Sequence, residues 1–199
     1  MRQVRVVPPD PAWKGTFRAE AAALRSVLAD EALAIHHIGS TSVPDLRAKP
    51  TIDVLVEARE IGNLDDLEEP MAVSGYEAWG EYGIPGRRFF TKDRGPERLC
   101  NVHAFESGTP EVERHLAFRD YLREHPETAR AYGDLKADIA ARFPTDIEAY
   151  MDGKDAFVKR TEREALSWVR APERVSSDAE GEGVRSRPEA RRQADGLTC

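Results

Sequence analysis

Residues 35–57 carry the pattern that most restricts how this chain can fold: two short apolar runs joined by a bend rich in hydroxyls and glycine. The first run, Ile35 to Ile38, ends in Gly39-Ser40. The second, Thr51 to Val56, sets one acid, Asp53, among Ile52, Val54, Leu55 and Val56. A near-continuous run of β-formers is the pattern of a strand covered on both faces. A carboxylate inside such a strand gives up its hydration, which costs several kcal/mol unless it is hydrogen-bonded, paired or set against a cation. Asp53 therefore demands a compensating partner.

The bend between the runs narrows what that partner is. The hydroxyls of Ser40, Thr41 and Ser42 stand where a helix can start, and Pro44 suits a first turn. Amides and hydroxyls at such a start form an anion site, usually for phosphate. A phosphate site next to a strand carboxylate points to metal-assisted phosphoryl chemistry. The bend lacks the glycine that follows the nucleophile of a serine-hydrolase elbow, and it lacks the Gly-Lys-Ser/Thr of a P-loop.

His37-Ile-Gly-Ser-Thr-Ser-Val-Pro44 followed by Ala48-Lys-Pro-Thr-Ile-Asp-Val-Leu-Val56 resembles the GrpB (UPF0157) family, predicted members of the nucleotidyltransferase superfamily. Arg87-Arg-Phe-Phe-Thr-Lys92, Asn101-Val-His103 and His115-Leu-Ala-Phe-Arg-Asp-Tyr-Leu-Arg-Glu-His-Pro126 are similar to later blocks of that family, so the likeness spans about residues 4–160. The superfamily pattern is a Gly-Ser turn, a strand with two carboxylates one residue apart, and a third carboxylate on a neighbouring strand. Gly39, Ser40 and Asp53 match it. Leu55 occupies the second acid position, a departure that removes one ligand of a metal pair; the third acid is Glu57 or Glu106.

Composition bears on partners and on extent. A net charge of −7 argues against bulk nucleic-acid binding, which draws on excess Lys and Arg to displace counterions, and favours a small ligand. Cys100 and Cys199 give neither a disulfide framework nor a metal spacing. No apolar leader or 18-residue apolar run is present, so the expectation is a cytoplasmic protein without a membrane span. Residues 1–170 read as one domain. The segment 171–199 has almost no large apolar residue and is expected to be disordered.

The elements follow from periodicity. Residues 3–8 suggest an edge strand. Asp10-Pro11 opens a helix whose stripe, Trp13, Phe17, Ala21, Leu24 and Leu28, runs to about Ala29. Strands are predicted at 34–38 and 51–57, a helix with an acidic face at 62–74, a meander at 76–79, 87–92 and 98–106, and helices at about 110–124, 126–143 and 145–169. The fold class is α+β: a nucleotidyltransferase-like mixed sheet flanked by helices, extended antiparallel to about 106, with a helical C-terminal part.

Candidate residues rank around Asp53, the metal ligand for an expected Mg²⁺. Gly39, Ser40, Thr41 and Ser42 take phosphate. Lys49, at the entrance to the Asp53 strand, reaches phosphate as a point charge. Arg87 and Arg88 point to opposite strand faces; Arg88 and Lys92 share one and form a candidate triphosphate clamp. Asn101 and His103 share a face of their strand, and His37 and His103 suit metal binding or acid–base work. His115 and Arg119 are one helical turn apart, a spacing for a joint anion contact. Lys136 and Lys154 read as solvated charges. Catalytic roles fall to Asp53, Ser40 and Lys49.

Three functions follow, the last of them an interaction protein with a vestigial ligand pocket that uses the acidic surface and the tail. The resemblance implies a Mg²⁺-dependent nucleotidyltransferase that moves a nucleoside monophosphate from an NTP to an acceptor, with Lys49 or Arg88 neutralising the leaving pyrophosphate. Leu55 supports the alternative, a non-catalytic module that binds a nucleotide or another phosphate-bearing molecule on the same fold.

Overall fold

The computed structural model describes residues 3–171; residues 172–199, nearly all of the segment expected to be disordered, lie outside the described residues. The described residues up to Val169 form one unit with five strands: β1 (Ala32–Ile38), β2 (Ile52–Ala58), β3 (Glu77–Ala78), β4 (Arg88–Arg94) and β5 (Glu97–Glu106). Its α-helices are α1 (Ala12–Leu28), α2 (Glu68–Val73), α3 (Pro110–Glu124), α4 (Pro126–Arg142) and α5 (Ile147–Val169). The fold class is α+β, with one mixed sheet in the order β1-β2-β5-β4-β3. β1 pairs antiparallel with β2, and β4 antiparallel with β5 and β3; β5, however, joins β2 in parallel, so the meander meets the core through a parallel seam rather than a wholly antiparallel extension. Among the described residues no helix is long and apolar enough to cross a membrane.

Strand alternation sorts the sheet into two faces. Ile52, Val54, Val56 and Ala58 of β2, Cys100, Val102 and Ala104 of β5, and Phe90 of β4 pack with Trp13, Leu24 and Leu28 of α1 and Met71 of α2. Each large apolar side chain fully buried here contributes about 1.5–3 kcal/mol, so this face holds the main core. Asp10 caps α1 by accepting the Ala12 amide on Oδ1 at 2.8 Å. The other face carries Asp53, Leu55, Asn101, His103 and Phe105. Leu55 and Phe105 there meet Ile38 and Val112 in a small apolar cluster, and α3, α4 and α5 close over the rest.

Two elements differ from their sequence pattern. Residues 3–8 add no strand to the sheet: Val7 makes one bridge with Ala48, N–H to O at 2.8 and 3.1 Å, and Pro8 and Pro9 have no N–H to extend it. The helix expected at 62–74 divides into a 3-10 segment, Ile61–Leu67, and α2, Glu68–Val73. Pro70 explains the break, since it offers no amide to the carbonyl of residue 66 and tolerates only a first helical turn.

Candidate functional site

The site is built from the end of β1 outward. Gly39 leaves the strand at φ +67°, ψ −173°, a region open in practice to glycine alone, and starts a single 3-10 turn, Ser40–Ser42. Asp53, opposite Ile38 in the ladder, lies directly beneath it. A Cβ on Gly39 would stand 2.9 Å from the Asp53 Cβ and collide with Oδ2, so the absent side chain is what admits the carboxylate. Asn101 is the parallel-strand neighbour of Asp53 and donates Nδ2–H to Oδ1 at 2.8 Å; Arg98 donates to the Asn101 Oδ1 at 3.2 Å and so orients the amide.

Burial raises the pKa of Asp53, while the Asn101 bond and the charges of Lys49, Lys154 and Lys136 act against the rise. Asn101 is its direct partner, and the lysines compensate from farther off. Lys136, on α4 and only 2 % exposed, donates to the Ser40 Oγ at 2.7 Å and to the Arg47 carbonyl at 2.6 Å, with Nζ 4.4 Å from the centre of the Tyr132 ring. Burial, helped by Lys154 and Lys49, pushes its ammonium down to about 7. Lys154, on α5, is also lowered by burial and by Lys49. Lys136 and Lys154 are therefore corrected from solvated charges to cavity groups.

These groups line a cavity of about 560 Å³ together with Gly39, Thr41, Asn101 and, farther along, Tyr82, Arg87, Phe89, His103, Arg114, His115 and Glu162. Of the residues singled out in the sequence, Gly39, Ser40, Thr41, Lys49, Asp53, Asn101 and His103 come together here. Ser42 does not: its hydroxyl donates to the Gly39 carbonyl at 2.6 Å, and its own carbonyl accepts from Arg123 at 3.1 and 2.9 Å on the far side of the turn.

Arg88 and Lys92 require correction. They do share a face, but it is the α1 face: Arg88 forms a two-pronged pair with Asp65, one arm at 2.7 Å, and Lys92 bonds Glu20 at 2.9 Å over the Tyr76 ring. The register settles this, because Phe89, not Arg88, stands opposite His103, and Arg87 shares the Phe89 parity. Of the neighbouring pair Arg87 and Arg88, the cavity thus takes Arg87. His37 faces away too, stacked on Phe17 with ring centres 4.6 Å apart, and burial with Arg123 and Arg119 pushes its imidazole down to about 4. His115 enters the cavity, whereas Arg119 lies beyond the turn and donates to the His37 carbonyl, so the two form no joint contact.

The donor set does not fit a resident pair of Mg²⁺ ions. Leu55 is fully buried among apolar side chains. Glu57 is held by His36 at 2.8 Å and by the Ser107 hydroxyl at 2.6 Å, and Glu106 is exposed at the end of β5. Among the described residues no three His, Cys, Asp or Glu side chains gather where they could hold a metal ion. Around Asp53 stand ammonium groups and an amide that donates to it, the reverse of a hard-cation shell.

The family model described as GrpB protein matches residues 3–164. The UPF0157 protein YqkA of Bacillus subtilis (strain 168) is 45 % identical over 167 residues, covering 84 % of this chain and 48 % of that protein, so the chain spans about half of YqkA's length. The UPF0157 protein PA4798 of Pseudomonas aeruginosa is 42 % identical over 183 residues, covering 90 % of this chain and 75 % of that protein. Among solved structures, GrpB from Enterococcus faecalis is 45 % identical and superposes with a TM-score of 0.81 over 84 % of this chain and 100 % of that one. On these likenesses, the chain belongs to the GrpB family.

Proposed function

We propose that the cavity binds a phosphate-bearing small molecule, a nucleotide in the first instance, and holds its phosphates with protein ammonium groups rather than with a resident metal pair. One observation carries this reading: five cationic side chains, Lys49, Arg87, Arg114, Lys136 and Lys154, line the cavity against two carboxylates, Asp53 and Glu162, and Arg114 is already paired with Glu162. Setting a buried lysine and a half-buried one beside one aspartate is costly in the empty protein, and an entering phosphate offsets that cost. Lys49, Lys136 and Lys154 act as point charges, and the Ser40 hydroxyl donates to a phosphate oxygen. The surface meanwhile stays acidic overall, with a net charge of −7, which suits a small anion drawn into a cleft better than a polyanion laid across the surface.

Titration calorimetry of the full chain with inorganic triphosphate and each NTP tests the reading, with Lys154→Met and Lys136→Met expected to weaken affinity at least tenfold. No heat and no thermal shift with any of these probes overturns it.

Nucleotidyl transfer is the second reading, favoured by the position of Asp53 directly beneath the Gly39-Ser40 turn. Label from an α-labelled NTP, with Mg²⁺ or Mn²⁺ present, entering the protein or an acceptor only when Asp53 is intact would replace binding by transfer as the conclusion.

A further inference from the structure

The three lysines, Ser40 and Asp53 occupy one end of the cavity, and the other end holds Arg87 and Arg114 together with two histidines. At that second end the Arg87 Nη1 faces the His103 Nδ1 at 3.4 Å, and the Arg114 Nη2 faces the His115 Nε2 at 3.3 Å. A guanidinium only donates, so each of those ring nitrogens accepts, and the remaining proton sits on Nε2 of His103 and on Nδ1 of His115. The arginines are themselves anchored: Arg87 donates to the carbonyls of Glu81 at 3.1 Å and Tyr82 at 2.7 Å, and Arg114 pairs with Glu162. Burial and the two guanidinium charges keep both imidazoles neutral, with His115 pushed down to about 3 and His103 well below its ordinary value. Two histidines held so far from their ordinary range do not exchange protons near pH 7. What they offer is one N–H donor each.

Flat surfaces surround these donors. Phe89 and His103 lie 5.1 Å apart between ring centres, His103 and His115 5.5 Å, and Tyr82 and Phe89 5.3 Å, with the Arg87 guanidinium 4.7 Å from the Phe89 centre. Tyr82 stands at the mouth, 62 % exposed and at φ +44°, a conformation uncommon for a bulky residue. Backbone strain of this kind gathers at binding sites.

We infer that this end receives the planar ring of the same phosphate-bearing ligand, and that the N–H groups of His103 and His115 select the oxo group at the ring position where the bases differ: O4 of uracil or O6 of guanine over the amino group that cytosine or adenine carries there. The inference rests on the phosphate reading and adds its substrate class. A buried donor that faces an amino group is left unpaired, which is how a site discriminates between near-isosteres.

Calorimetry of the full chain with UTP, GTP, CTP, ATP and ring-free inorganic triphosphate tests it. UTP and GTP are expected to bind at least tenfold more tightly than CTP and ATP. His103→Phe and His115→Phe, which keep a ring and remove the donor, are expected to bring UTP and GTP down to the affinity of CTP and ATP. Equal affinity for all four NTPs, with triphosphate binding retained, overturns the inference and spares the phosphate reading; failure of every probe sinks both. Imidazole ¹⁵N shifts of the wild-type protein supply a readout that needs no variant: at pH 7 both rings are expected to be neutral, with the proton on Nε2 of His103 and Nδ1 of His115. A charged ring or the opposite tautomer there overturns the inference.

Discussion

Gly39→Ala is the sharpest test of how the site is assembled. At φ +67°, ψ −173° an alanine is strained wherever its methyl points, and residues held in such regions cost about 1–3 kcal/mol. The methyl also lands 2.9 Å from the Asp53 Cβ and 3.0 Å from its Cγ, on a side chain that β2 and Asn101 hold from behind. Forcing an atom into packed surroundings costs about another 1–3 kcal/mol. The expected loss is therefore about 2–6 kcal/mol, a large share of the roughly 5–15 kcal/mol by which domains are stable. Urea unfolding followed by circular dichroism measures it. A cycle with Asp53→Gly separates the two parts, because removing the carboxylate relieves the collision and leaves the backbone strain. The expected coupling is about 1–3 kcal/mol in favour of the double variant. A Gly39→Ala protein within about 0.5 kcal/mol of wild type, the spread of ordinary surface changes, or strictly additive losses, would refute the claim that this glycine exists to admit Asp53.

Leu55→Asp sets an acid at the second position of the carboxylate pattern that the superfamily resemblance implies, among Ile38, Phe105 and Val112; it is expected to destabilise by several kcal/mol and to gain no thermal shift from millimolar Mg²⁺, and a clear Mg²⁺-dependent shift would show that the site accepts the metal after all. Lys136 holds its proton less tightly in the folded protein, about 7 against an ordinary 10.5, so the unfolded chain binds more protons between those values, and its contribution to stability rises with pH across that interval and is flat below it. Lys136→Met is expected to abolish this rise, read from urea midpoints at pH 6, 7.5 and 9. A phosphate drawn against Lys136 restores its charge, so triphosphate binding at pH 8.5 should take up about one proton, seen as a dependence of calorimetric heat on buffer ionisation enthalpy; no uptake would remove Lys136 from the binding site. Arg88→Ala, on the opposite face of the sheet, is expected to leave nucleotide affinity unchanged and to cost no more than about 1 kcal/mol for its Asp65 pair.

How much of this was legible in the chain depends on which physical cue each residue carried. Asp53 was readable because a carboxylate in an apolar strand contradicts its surroundings, and Gly39 and Ser40 because the turn beside it makes sense of that contradiction. The choice between Arg87 and Arg88 was not readable from parity. Parity separates the two faces, but only the register of β4 on β5, with Phe89 against His103, decides which face holds the cavity. The helix predicted at 62–74 runs across Pro70, whose missing amide confines α2 to Glu68–Val73. His115 was seen as a partner of Arg119, one turn along α3, whereas its working neighbours, Arg114 and His103, come from the adjacent position and from another element.

Lys136 and Lys154 show that the cue which exposed Asp53 was present twice more. On α4, Lys136 falls between Tyr132 and Ile139, four residues after one and three before the other. On α5, Lys154 stands in the same relation to Tyr150 and Phe157. Both lysines thus interrupt the apolar stripe of their helix, as Asp53 interrupts its strand, and a charge on the buried face of a helix needs a partner as much as one in a buried strand does. An acid in the sheet and a lysine in each of two covering helices are complementary anomalies, and the fold brings them to one cavity. A buried ammonium on α4 and a half-buried one on α5 beside one half-buried carboxylate leave the set short of negative charge, and that shortage is the ground of the phosphate proposal.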